Sequence, residues 1–146
     1  MEQRIKIDQV FPEAIKGMMG LVTALSKTNL TPIQKELIKI RASQLNSCAY
    51  CLDMHTRDAL KYGETPQRLF VLSAWRETDL FTEEEKALLA LTEEVTLIHQ
   101  NGVTDETYKQ AEKFFSAETI AQIIMASVLI NAWNRIGVST HMTIPR

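Results

Sequence analysis

The segment TPIQKELIKIRASQLNSCAYCLDMHTRDALKYG, residues 31–63, carries both the helical grammar and the reactive side chains of this chain. Thr31 stands ahead of Pro32, and a threonine hydroxyl accepts hydrogen bonds from the free N–H groups of a first helical turn. Proline at the first helical position loses nothing by lacking an N–H, and Gln34 completes a capping box with Thr31. These signals predict a helix from Pro32 to about Leu45. Leu37, Ile40 and Leu45 form its apolar side, with Lys35, Lys39 and Arg41 mostly on the others. Asn46-Ser47 then breaks the chain. Ser47 is expected to cap a second helix that carries Cys48, Cys51, Met54 and His55 and ends at Gly63, which readily takes the left-handed conformation.

Outward from this segment the punctuation repeats. Thr65-Pro66 opens a third helix, expected to run to Trp75 or Arg76. Thr82-Glu83-Glu84-Glu85 supplies a capping box and negative charge at a helix N-terminus, which predicts a long helix to His99 before Asn101-Gly102. Thr104-Asp105-Glu106 begins a shorter helix to about Phe115, Ser116-Ala117-Glu118 begins the last one, and Pro12 to Ser26 reads as an N-terminal helix. No segment alternates apolar and polar residues between Gly or Asn turns, as a hairpin would. The fold expected is all-α, a compact bundle of about six to seven helices.

The 146 residues, 45% hydrophobic and 23% charged, fit one globular domain running from Met1 to Arg146 that needs no disulfide or metal to hold a core. A net charge of -2, from 16 basic and 18 acidic residues, provides no basic field for a phosphate backbone, so nucleic acid is not an expected partner. The opening MEQRIKIDQV lacks the apolar core of a secretory signal, and a cytoplasmic location is expected. The longest apolar run, Ile120 to Trp133, is interrupted by Gln122, Ser127 and Asn131 and falls short of the ~20 residues of a bilayer span. It reads as a buried helix rather than a membrane segment. Being apolar on nearly all sides, it also suggests cover from a neighbouring subunit, hence a homo-oligomer.

Two cysteines in a chain without an export signal point to redox or metal chemistry more than to a structural bridge. At a spacing of three on a helix, Cys48 and Cys51 share a face, close enough for their sulfurs to bond after modest adjustment. His55 lies one turn beyond Cys51 and could take a thiol proton, while the helix N-terminus favours a thiolate. The dipole alone favours Cys48 as the more acidic thiol, whereas the histidine's proximity favours Cys51. Glu36, on the preceding helix, could orient His55 as the acid of an acid-histidine-nucleophile relay. The blander alternatives are two buried small hydrophobes and a solvent-facing glutamate. A zinc site would need a fourth ligand beyond Cys48, Cys51 and His55, and only His99 and His141 remain. His99 is better explained by a helix C-terminus, and His141 sits in the tail. Trp75, Trp133, Phe114 and Phe115 read as core or interface aromatics, and Asn134-Arg135 as an inter-helix or intersubunit polar contact.

With Glu36, Cys48-x-x-Cys51-x-x-x-His55 and Gly63 in order, supported by Trp75, the Phe81-Thr82-Glu83-Glu84-Glu85 start and Asn134-Arg135, the sequence resembles the AhpD-like alkylhydroperoxidase branch of the carboxymuconolactone decarboxylase superfamily. The resemblance spans nearly the whole chain. It implies an all-helical fold assembling as trimers or hexamers, and a peroxidase in which the pair cycles between dithiol and disulfide. In that scheme Cys51 attacks the hydroperoxide, Cys48 resolves the sulfenic acid, and His55, assisted by Glu36, carries protons. Some members carry a second histidine between the cysteines, where this chain has Tyr50, which implies slower or differently routed proton transfer. No bound cofactor or metal is expected, since no glycine-rich nucleotide loop is present, and an external dithiol or protein reductant is implied. The competing functions are a general thiol-disulfide oxidoreductase and a non-catalytic redox-sensing module.

Overall fold

The structure, a computed structural model, describes residues 2–145. The expected domain ends, Met1 and Arg146, lie outside the described residues. The helices are α1 (Ile7–Val10), α2 (Pro12–Ser26), α3 (Pro32–Leu45), α4 (Ala49–Lys61), α5 (Pro66–Val71), α6 (Glu83–Thr96), α7 (Ile98–Asn101), α8 (Asp105–Glu112) and α9 (Ala117–Thr140), with a 3-10 segment Leu72–Glu77 after α5. The described residues form no strand, so the all-α class holds. Two of the helices, α1 and α7, are four-residue turns.

The start signals are realised as hydrogen bonds. Thr31, Thr65, Thr82, Thr104 and Ser116 each accept from the N–H three residues on. At Thr31 and Thr82 the reciprocal bond from Gln34 or Glu85 completes the capping box. Ends and interiors differ more from expectation. The third helix tightens to 3-10 after Val71 and kinks at Ala74 (φ -116°, ψ 29°) rather than running evenly to Trp75. There the buried Leu72 and Trp75 turn inward, and packing overrides helical regularity. The expected long helix to His99 breaks at Leu97 (φ -97°, ψ 35°) into α6 and α7, and α8 stops at Glu112. The last helix continues past Trp133 through Asn134 and Arg135 to Thr140, so those two residues lie inside it.

Helix α3 occupies the centre and packs on α4, α6 and α9. Its Leu37, Ile38 and Ile40 join Leu88, Leu89 and Leu91 of α6 and Ile120 and Ile123 of α9 in the core, all virtually without solvent contact. A central helix with so many polar residues is stable only if each finds a partner. Arg41 Nε donates to Glu93 Oε1 at 2.7 Å, Ser43 Oγ accepts from Asn134 Nδ2 at 2.9 Å, and Glu36 is bonded on both oxygens. Glu93 also accepts from Trp75 Nε1 at 2.8 Å and from Arg76, linking the 3-10 segment to α6 and α3. Among the described residues, no helix is long and apolar enough to cross a membrane.

Candidate active site

The site is built at the corner between α3 and α4. Ser47 turns the chain with a left-handed φ of 54°, which is incompatible with the extended backbone of an N-cap, so Cys48 caps α4 instead of Ser47. Its N–H donates to the Ser43 carbonyl at 3.0 Å, and its Sγ accepts from the Cys51 N–H at 3.4 Å. Cys48 and Cys51 are joined as a disulfide with their Cα atoms 5.4 Å apart. The sulfur of Cys48 therefore sits at the positive end of α4, and Cys51 one turn inside it.

His55, one turn further along α4, points back at α3. Its Nδ1 lies 2.8 Å from Glu36 Oε2, while Lys39 Nζ lies 2.7 Å from the other oxygen. Burial pushes the Glu36 carboxyl up, but the hydrogen bonds from His55 and Lys39 outweigh it and hold the pKa below the ordinary value of 4.5. An ionised carboxylate only accepts, so Nδ1 carries the proton that bridges the pair. In the neutral imidazole, Nε2 is then left as an acceptor. Glu36, His55 and Asp58 place ligand-type atoms within 4.8 Å of one another. These donors are committed: Glu36 to His55 and Lys39, and Asp58 to Lys61 Nζ at 2.7 Å.

A cavity of about 610 Å³ opens onto this corner. Glu36, Lys39, Tyr50, Cys51 and His55 line one side, while Val22 and Leu25 of α2, Met54 of α4 and Leu129, Ile130 and Trp133 of α9 make an apolar wall. Cys51 faces this cavity. Cys48 lies behind it against α9, where a Cβ added to Gly137 would stand 3.1 Å from the Cys48 Sγ. Both sulfurs are nearly inaccessible, at 1% and 3% residue exposure for Cys48 and Cys51.

The four candidate residues thus converge: Cys51, His55 and Glu36 on the cavity, and Cys48 beneath them. Trp133, expected in a core or interface, packs half-buried against the core and also lines the cavity. Trp75 and Phe115 are core residues, whereas Phe114 is 40% exposed. His99 lies exposed in the last turn of α7, and His141 ends α9 in a left-handed conformation (φ 55°). Asn134 makes an inter-helix contact, its Oδ1 accepting from Asn46 Nδ2 at 3.0 Å. Sequence reasoning missed Lys39, which looks like any solvated helix lysine, and Gly137. A glycine in a helix interior costs about 1 kcal/mol against alanine, which was the available hint that Gly137 serves a close approach.

Residues 11–94 match the model of the carboxymuconolactone decarboxylase family. The chain is 42% identical over 139 residues to YdfG of Bacillus subtilis, covering 95% of each. It superposes with a TM-score of 0.96 on the crystal structure of an Agrobacterium tumefaciens protein with a provisional antioxidant-defence (AhpD) designation, at 36% identity over 99% of both chains. The debrominase Bmp8 shares the fold at a TM-score of 0.80 and 18% identity, over 92% of this chain and 72% of that one. With the Cys48–Cys51 pair, His55 and Glu36 gathered at one corner of an all-helical bundle, this chain belongs to the carboxymuconolactone decarboxylase family, in its AhpD-like branch.

Proposed function

We propose that the protein is a thiol peroxidase that reduces organic hydroperoxides through a Cys48–Cys51 dithiol–disulfide cycle. The observation that carries this reading is the position of Cys51, bonded to Cys48 and facing the same cavity as a histidine whose far nitrogen is held by Glu36. In the reduced enzyme His55 takes the Cys51 proton, and the thiolate attacks one peroxide oxygen. The O–O bond breaks, the alkoxide leaves with the proton from His55 as an alcohol, and Cys51 becomes a sulfenic acid. The Cys48 sulfur then attacks the Cys51 sulfur. The S–S bond forms, the S–O bond breaks, and hydroxide leaves as water with the Cys48 proton. Two electrons have passed from the dithiol to the peroxide. An external dithiol restores the pair by exchange and leaves as its own disulfide.

Burial of both sulfurs favours small substrates reaching Cys51 through the cavity over general exchange with protein disulfides. Tyr50 stands in the cavity wall beside Cys51, so the phenol rather than an imidazole would meet the bound peroxide there. A homo-oligomer of trimers or hexamers would cover Met125, Val128 and Val138 of α9, which the single chain leaves 40–46% exposed.

The test is stopped-flow reaction of the reduced protein with cumene hydroperoxide, with intact mass to follow loss of two hydrogens, in wild type and Cys51→Ser. The expected result is stoichiometric disulfide formation in wild type and none in the variant. A Cys51→Ser protein that keeps full peroxide consumption overturns the proposal. Because Bmp8 is a debrominase, 2,3,4-tribromopyrrole is assayed in parallel. Debromination without hydroperoxide consumption would replace the peroxidase reading.

A further inference from the structure

Helix α9 presents Asn131, Asn134 and Gly137 at intervals of three, on the face turned toward the α3–α4 corner. Asn46 Nδ2 donates to Asn131 Oδ1 at 2.8 Å and to Asn134 Oδ1 at 3.0 Å, and Asn134 Nδ2 donates to Ser43 Oγ at 2.9 Å. Asn134 is fully buried, so these bonds are shielded from water. They hold the two residues that fix Cys48 in place: Asn46, which precedes the left-handed Ser47, and Ser43, whose carbonyl binds the Cys48 N–H. The α9 backbone at Gly137 then comes so near that a Cβ would stand 3.1 Å from the Cys48 Sγ, 3.8 Å from Met142 Sδ and 3.9 Å from Cys51 Sγ. The other two helical glycines, Gly17 and Gly20 of α2, have nothing within 4 Å of such a Cβ.

We propose that Gly137 is a positioning residue for the redox pair, whose missing side chain provides the space the Cys48 sulfur occupies when the disulfide closes. The role rests on the dithiol–disulfide reading of the site but not on peroxide as the oxidant. In the disulfide, Sγ of Cys48 is held by its bond to Cys51, so the few tenths of an ångström it must give to a methyl group at 3.1 Å are taken against that bond. In the dithiol it is free to swing about its own side-chain bond, and the same methyl is accommodated. Alanine at this position therefore penalises the oxidised state selectively. It also slows closure, the step in which the Cys48 sulfur displaces hydroxide from the sulfenic acid of Cys51.

The experiment equilibrates wild type, Gly137→Ala and Gly20→Ala with reduced and oxidised dithiothreitol at fixed ratios, then alkylates the thiols and reads the disulfide fraction by mass. Gly137→Ala is expected to shift the equilibrium constant toward the dithiol about tenfold, or about 30 mV for a two-electron couple. Gly20→Ala, which adds the same methyl to a helix, is expected to stay within twofold of wild type. An unchanged constant in Gly137→Ala, or a shift toward the disulfide, overturns the assignment. If Gly137→Ala folds poorly, Cys48→Ala is added to it. Recovery of thermal stability in the double variant locates the clash at the sulfur, and failure to recover overturns the proposal. This readout stands even if the protein proves not to consume hydroperoxides, because dithiothreitol supplies the electrons.

Discussion

Glu36 shows how one buried carboxylate can organise a site from two sides. One oxygen fixes the His55 ring across the gap to α4, and the other holds Lys39 one turn along α3. Replacing it with glutamine keeps the shape but leaves one acceptor oxygen for two donors; Lys39, which can only donate, claims it, and the amide NH2 turned toward His55 no longer selects the Nδ1–H tautomer. Glu36→Gln is expected to lower the single-turnover rate with cumene hydroperoxide about a hundredfold. Nitrogen NMR of the His55 ring checks the cause, with the bridging Nδ1–H signal present in wild type and lost in the variant. Because the hydrogen bonds from His55 and Lys39 outweigh burial and leave the Glu36 pKa below 4.5, the sign is fixed: the stability the ionised carboxylate contributes is complete above that pH and is lost as pH falls through the lowered value. The motif residues were legible in the sequence because Cys48, Cys51 and His55 lie within three turns of one segment. Lys39 was not, because a lysine three residues from a glutamate is ordinary on any helix surface, and only the burial of Glu36 where α4 meets α3 draws the pair into the site.

At the scale of elements, helix starts were legible and helix interiors were not. A cap is local chemistry, so Thr31 and Thr82 announced α3 and α6 by themselves. Thr82→Ala is expected to cost about 1 kcal/mol in urea unfolding. The kink at Ala74 and the break at Leu97 occur without proline or glycine, at places where packing partners distant in sequence decide the backbone. The displaced cap belongs to the same class, since Ser47 is left-handed in a turn that Asn131 and Asn134 hold from about 85 residues away in sequence. Asn134→Ala removes a fully buried partner from both Asn46 and Ser43. The expected loss is about 1–3 kcal/mol of stability, read from the shift of the urea midpoint at unchanged slope.

Across the whole molecule, the charge network at Glu93 ties α3, α6 and the 3-10 segment together through Arg41, Arg76 and Trp75. Burial raises the Glu93 pKa, but bonds from Trp75, Arg76 and Arg41 outweigh it and bring it below 4.5. Its contribution is therefore complete above pH 4.5 and lost as acid titrates the carboxylate at its lowered value. Glu93→Gln is expected to lower stability by about 3 kcal/mol at neutral pH, because Arg41 is left half-buried without an anion. Its melting temperature is also expected to fall less steeply than that of wild type as acid is added, a comparison calorimetry makes directly. None of these long-range pairs could be assigned from spacing along the chain, although the all-α class they stabilise could.

The cavity divides its labour between elements. Its reactive side comes from α3 and α4, whereas Val22 and Leu25 of α2 and Leu129 and Trp133 of α9 supply the opposite apolar wall. Mutations in that wall are expected to reshape what fits while the Glu36–His55 contact, made between α3 and α4, stays in place. Such a chain is free to diverge by trading one guest for another while inheriting its chemistry intact, which is how a single fold accumulates descendants with different diets.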